Sequence, residues 1–305
     1  MTSSSLTLPV PSQSVLCPRP SLTSRAARRL LRLLGVHAEA RETAPLDARG
    51  RKALCVATNH GVLDIGVATG VFASELTVPY YLFRDAGMQV DLASPQGGVI
   101  PVEPLSMKPS IRTPSDDRLL GDPVLRRGLM QSRAVAALDF AAYDIIYFAG
   151  GWGAAFDLGQ SEELGAQVTA AAAAGRVIGG ICHGPLGLLR ARRPDGELLV
   201  KGRRITAVTD RQVRQLGVEI TPLHPESALR AAGACFESSR HPVRDFFANH
   251  WIADGDLITG QNQNAGPMVA RLMVQRALGK PAHRRAWVPV AVTLPPDSSL
   301  GSCAP

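Results

Sequence analysis

An α/β fold with a mainly parallel sheet and helices on both faces is what this sequence predicts, and three observations predict it. Short apolar runs alternate with longer stretches of helical character from about residue 53 to 278. The first run, Ala53–Thr58, is apolar up to its closing threonine, as suits a strand buried on both sides. The runs stop at Asn, Gly, Ser or Pro, where the chain must leave the sheet and turn back over it.

Taken in order, Ala53–Thr58 is the first strand, closed by Asn59-His60-Gly61. Thr77–Ala86 follows as a helix ended by Gly87, then Gln89–Ala93 as a strand stopped by Ser94-Pro95-Gln96-Gly97-Gly98. A proline-containing loop leads to a helix over Asp122–Leu138. Asp144–Ala149 is a strand closed by Gly150-Gly151. Ser161–Ala174 is a helix, with Ser161 and two glutamates at its start and Gly175 past its end. Val177–Ile181 is the next buried strand, and a helix is expected directly after Cys182. Ile205–Thr209, Ala234–Glu237 and Asp256–Thr259 are later strands, and Gly266–Leu278 is the last helix. Parallel sheets bind ligands beyond the carboxyl ends of their strands, so the residues just after each run are the candidates for chemistry.

With 305 residues and 45% hydrophobic side chains, one large domain over 51–280 is expected, flanked by an extension (1–50) and a loose tail (281–305). No apolar run approaches the roughly 20 residues of a membrane span, so no membrane partner is expected. Most of the net charge of +7 sits in the first 52 residues, which hold nine Lys/Arg and three acids. The body is nearly balanced and offers a nucleic acid no electrostatic footprint. Met1–Ser24 is Ser/Pro-rich and reads as disordered; Ser24–Gly35 can form a short basic amphipathic helix. A cytoplasmic location is expected, with organelle import through this Arg/Ser-rich segment as the alternative. Five scattered cysteines without a CxxC describe neither a disulfide framework nor a zinc site, and no histidine spacing suggests a catalytic metal.

The sharpest local signal is Gly180-Ile181-Cys182-His183-Gly184, placed directly after an apolar strand. It has the form of a nucleophile elbow with Cys in the nucleophile position. Flanking glycines permit the tight turn, which would lift the thiol off the sheet and set it at a helix N-terminus. There the peptide dipoles would lower its pKa, and neighbouring N–H groups could hold an oxyanion. His183 could orient or deprotonate the thiol. Cys55 and Cys235 lie inside strands and read as structural. His60, at a strand end, could line a pocket.

The elbow belongs to an ordered set: Thr69-Gly70-Val71-Phe72-Ala73-Ser74-Glu75, then Pro79, Ala86-Gly87, Val90-Asp91 and Ser94–Gly98. Tyr143-Asp144 to Gly150-Gly151-Trp152-Gly153 follow, then Asp157-Leu158, Gly202–Thr206 and Leu257–Asn262. Over about residues 53–278 this set resembles the ThiJ/PfpI superfamily, in its branch of stress chaperones and glyoxalase III-like proteins. The resemblance implies a flavodoxin-like three-layer α/β/α sandwich and a homodimer. It implies a carboxylate beside the nucleophile, at Glu75, and an oxyanion hole from the N–H groups of Gly151 and His183. Gly150 and Trp152 would line the substrate pocket; relatives usually carry His where Trp152 stands, a departure that bears on the substrate. Asp210 is either the third member of a Cys–His triad or a helix cap, since the acidic pair that often follows is replaced by Gln212-Val213. The implied reaction needs no cofactor: a small-molecule carbonyl, methylglyoxal or another 2-oxoaldehyde, would go to a 2-hydroxy acid. The alternatives are an amidase, peptidase or amidotransferase-like hydrolase, for which His224-Pro225-Glu226 has the right form, and a redox-sensing protein or holdase.

Overall fold

The computed structural model describes residues 45–279 apart from Val243, together with Ala26, Ala27, Leu30 and Leu31. Those four are helical, within the segment expected to form a helix. The expectations for the rest of the extension and for the tail lie outside the described residues.

Among the described residues nine strands run in chain order as β1 (Lys52–Val56), β2 (Gln89–Ser94), β3 (Arg133–Ala134), β4 (Ile145–Phe148), β5 (Val177–Ile181), β6 (Arg204–Ile205), β7 (Cys235–Phe236), β8 (Trp251–Asp254) and β9 (Leu257–Gly260). Seven of them form the main sheet, in the order β3-β2-β1-β4-β5-β9-β8, and β6 pairs with β7 apart from it. Every pairing in the main sheet is parallel except that of β8 with β9. The three-layer fold follows from the two-residue period of the strands. Ala53 and Cys55 of β1, Ile145 and Tyr147 of β4 and Ile258 of β9 face one apolar cluster. Leu54, Val56, Ile146, Phe148 and Leu257 face the other.

The first face is covered by α1 (Ala73–Asp85), α2 (Pro114–Gly121), α3 (Pro123–Met130) and α8 (Gly266–Ala277), through Leu76, Tyr80, Phe83, Leu125, Val269 and Met273. The second is covered mainly by α5 (Glu162–Ala173), with Leu164, Val168 and Ala171 turned inward. Short helices α4 (Ala154–Asp157), α6 (Asp210–Leu216) and α7 (Pro225–Ala231) complete the molecule. Ser161 caps α5 as expected, accepting from the N–H of Leu164 at 3.1 Å.

Several expectations are corrected. The helix read over Asp122–Leu138 ends at Met130. Beyond it the backbone groups of Ser132 pair both ways with Gly98, which draws the next residues to the sheet edge as β3. The helix expected after Cys182 is only a 3-10 turn, Gly184–Leu188. Gly184 and Gly187 pack so tightly on Phe148 that a Cβ on either would lie within 2.8 Å of it, and glycine is a poor helix former. Helix α1 starts a turn earlier than Thr77, which puts Glu75 in its first turn and Pro79 in its interior. The pairing of β6 with β7 is a small separate sheet, and the antiparallel edge strand β8 was not anticipated.

Candidate active site

The site forms where the chain reverses its winding across the sheet, at the carboxyl ends of β1, β4 and β5. Cys182 directly follows β5 with φ +59°, the one positive-φ residue other than glycine among the described residues. Its conformation is held from both sides: its N–H donates to the carbonyl of Gly260 at 3.0 Å, and its carbonyl accepts from the N–H of Val208 at 3.1 Å. A strained backbone fixed by its neighbours is where a fold can keep a reactive group in place. The residue is 8% exposed.

Glu75 reaches the sulfur from the first turn of α1. Its carboxyl is placed to share a hydrogen bond with the Cys182 thiol, and the residue is 1% exposed. The second carboxyl oxygen has no partner among the described residues. The main-chain carbonyl of Glu75 accepts from the buried hydroxyl of Tyr147, in β4, at 2.6 Å. Gly150 and Gly151 leave the room this needs. A Cβ on Gly150 would lie 2.3 Å from the Glu75 carboxyl and 2.8 Å from Cβ of Cys182. At Gly151, φ is +117° and a Cβ would meet the carbonyl of Gly70 at 2.3 Å. The N–H groups of Gly151 and His183 both hydrogen-bond the sulfur.

Electrostatics differ from the sequence expectation. Burial pushes Glu75 up to about 8, drawn back only in part by its bond to Cys182. Burial also pushes the Cys182 thiol up, with the charge of Glu75 adding to the rise and the two N–H groups opposing it. The expected lowering by a helix dipole does not occur: the following turn is five residues long, and desolvation outweighs it. Thiol and carboxyl therefore titrate as a pair, and burial holds both in their neutral forms near neutral pH. His183 is fully buried, with Nδ1 3.4 Å from Sγ. Desolvation, and next the nearby His224, lower it to about 3, so the imidazole is neutral at physiological pH.

The structure thus brings Cys182, His183, Glu75, Gly150 and Gly151 together. Trp152, half-buried, follows in the same loop and packs on the adjoining core. His60 sits at the end of β1 with its ring stacked on Phe156 at 3.9 Å. Asp210 is not brought to His183. Its carboxylate accepts from the Ser227 hydroxyl at 2.5 Å, while His183 Nε2 has no hydrogen-bond partner among the described residues. Asp210 instead ties the start of α6 to the start of α7. Gln212, where an acid was sought, is committed to Thr209, Gln261 and the carbonyl of Asp245. His224 and Glu226 serve the same region: His224 Nε2 lies 3.1 Å from the carbonyl of Glu219, and Glu226 pairs with Arg230 and accepts from the N–H of Asp210. Tyr147 was missed, because nothing in a strand sequence announces which hydroxyl lies under which helix. Among the described residues no group of three His, Cys, Asp or Glu stands close enough to hold a metal ion.

The sequence profile of the DJ-1/PfpI family matches residues 64–276, which hold both Glu75 and Cys182. The chain belongs to the DJ-1/PfpI family. Within it, a glutathione-independent glyoxalase of Schizosaccharomyces pombe is 29% identical over 226 residues, covering 70% of this chain and 88% of that protein. Glyoxalase 3 of Candida albicans is 28% identical over 214 residues, with 67% and 88% covered. The crystal structure of glyoxalase III from Candida albicans superposes with a TM-score of 0.67 at 26% identity, covering 73% of this chain and 96% of that one. The family resemblance and the three-layer fold read from the sequence both stand. No helix among the described residues is long and apolar enough to cross a membrane.

Proposed function

We propose that this protein is an enzyme that converts 2-oxoaldehydes such as methylglyoxal into 2-hydroxy acids without glutathione, Cys182 being the nucleophile. The observation that carries the reading is the buried Glu75 carboxyl set against Cys182 across Gly150, where a Cβ would lie 2.3 Å from that carboxyl and 2.8 Å from Cβ of Cys182. The names of the glyoxalase relatives support it.

Cys182 gives its proton to Glu75 and adds as thiolate to the aldehyde carbon, forming a C–S bond. The N–H groups of Gly151 and His183 hold the developing oxyanion. Glu75 returns the proton to that oxygen, giving a hemithioacetal, and is left as a carboxylate. It then removes the hydrogen on the former aldehyde carbon, and the resulting enediol is reprotonated on the adjacent carbon. One carbon has been oxidised and its neighbour reduced, so no external oxidant or reductant is required. The product is a thioester of the 2-hydroxy acid. Water attacks it, the C–S bond breaks, and sulfur leaves as thiolate. Substrate plus water gives one product, which makes the overall reaction that of a lyase rather than a hydrolase.

His183 is assigned hydrogen bonding at sulfur rather than proton transfer, because its buried ring resists protonation. The homodimer belongs to this proposal through the family resemblance. The hydrolase alternative loses its support, since His224 and Glu226 are occupied elsewhere. The test is lactate formation from methylglyoxal in glutathione-free buffer. Wild type should turn over and Cys182→Ala should not; equal rates would refute the assignment. A Trp152→His variant run on a panel of 2-oxoaldehydes reads how that side chain shapes the pocket.

A further inference from the structure

Pro79 stands inside α1, four residues after Glu75. In a regular helix the N–H of residue 79 would donate to the carbonyl of residue 75. Proline has no N–H, and its ring crowds that carbonyl, so the main chain at Glu75 is left without its helical partner in a fully buried place. The hydroxyl of Tyr147 fills the gap at 2.6 Å, from a strand on the sheet directly beneath. Tyr147 is itself 0% exposed, braced edge-on against Phe83 with ring centroids 6.0 Å apart. Its register neighbours are Cys55 on β1 and Gly179 on β5. The carbonyl it holds belongs to the residue whose carboxyl bonds the nucleophile.

We infer that Tyr147 is a positioning residue that sets the Glu75 carboxyl against Cys182 through the main chain, and that Pro79 creates the vacancy it occupies. A helix that satisfied its own carbonyl would be tied to the sheet at this point by apolar packing alone. With the proline, the turn carrying Glu75 is pinned to the strand layer by a directional bond. The same layer supplies Cys182 from the end of β5 and Gly150-Gly151 after β4, so acid, sulfur and N–H donors share one rigid frame. The inference rests on the proposed function for its catalytic meaning but not for its geometry.

The test is a double-mutant cycle on the full chain with Tyr147→Phe and Pro79→Ala. Two readouts are taken: kcat/KM for methylglyoxal, and the pH dependence of Cys182 alkylation by iodoacetamide followed by mass spectrometry. The second needs no turnover. Tyr147→Phe should lower kcat/KM about tenfold, the scale of one lost buried hydrogen bond. Its alkylation profile should move to lower pH, because a displaced Glu75 no longer raises the Cys182 thiol through its charge and its hydrogen bond. Pro79→Ala should stay near wild type, and adding it to Tyr147→Phe should restore both readouts to within about threefold, since the substituted alanine supplies the missing N–H. Two outcomes overturn the inference: a wild-type profile for Tyr147→Phe, or a double variant no better than Tyr147→Phe alone. The latter would mean that the hydroxyl acts on the site directly. If Tyr147→Phe does not fold, the comparison of Pro79→Ala with the double variant still decides, as the hydroxyl should be dispensable there. Absence of lactate with the alkylation cycle intact would remove the proposed function and leave the positioning role standing.

Discussion

Two thiols, one inside a strand of the main sheet and one just past the end of another, differ in almost everything that decides chemistry. Cys55 lies in the middle of β1, fully buried, with its thiol pushed up by desolvation and then by the charge of Asp91. Cys182 lies at the end of β5, on a strained turn, and is also pushed up by burial. Burial alone therefore does not separate a structural cysteine from a candidate nucleophile. The companions do. Cys182 has a carboxyl that can hold its proton and two N–H groups that can hold its charge, and these arrive from a helix start and two turns that only a strand end can meet. A mid-strand sulfur has its neighbours' backbone groups already spent on the ladder.

The widest separation between the two should come from truncation. Cys182→Ala should reduce lactate formation by about a thousandfold or more. Cys55→Ala should leave it unchanged and cost about 1 kcal/mol of stability, read as a lowered urea midpoint. Comparable activity losses at both positions would break the contrast.

Glu75→Gln sharpens it, because activity and stability should move in opposite directions. Turnover should fall about a hundredfold with the proton carrier gone. Stability should rise. The unfolded carboxyl ionises near 4.5 and the folded one near 8, so the native state favours the protonated form. Its contribution is fully present below about 4.5 and is lost progressively as pH rises to about 8. At pH 7 that loss is roughly 3 kcal/mol, which a neutral amide of the same shape avoids. Denaturant unfolding at about pH 5 and about pH 7.5 measures it, and the gain should be larger at the higher pH.

The pH profile supplies a smaller effect. Below about 8 the Glu75–Cys182 pair holds both protons, and no thiolate is present. In that range kcat/KM should rise about tenfold per pH unit, levelling off above about 8. His183, lowered to about 3, should add no step near neutrality. The smallest effect is expected from Asp210→Asn. Because that carboxylate serves Ser227 rather than His183, activity should stay within about threefold of wild type while thermal stability drops slightly.

How much of this was legible in the sequence can be judged element by element. Strands β1, β4 and β5 were readable because each is a continuous run of apolar and glycine residues with a clear stop, the mark of a strand covered on both faces. Strands β2 and β9 were readable from shorter runs ended by Ser94-Pro95 and Gly260. Helix α5 was readable from its Ser161 cap. Two-residue β3 carries too little pattern to see, and β8 was hidden although Asp254-Gly255 offers a turn signal to β9. At the site, the Gly-flanked Cys182 was visible in its own right. Glu75 was found only through family resemblance, since more than 100 residues separate it from the sulfur. Asp210 had the right local context and the wrong surroundings.

By itself, then, the sequence determined the layered α/β architecture, the strand ends where chemistry could gather, and one cysteine on a turn that glycines make possible. These depend on local periodicity and on backbone freedom, which adjacent residues encode. The tertiary structure decided which carboxyl faces that sulfur, which way its proton affinity moves, and which hydroxyl replaces the hydrogen bond that Pro79 removes. Those depend on desolvation and on contacts between elements far apart in the chain, and both come into being only when the layers close.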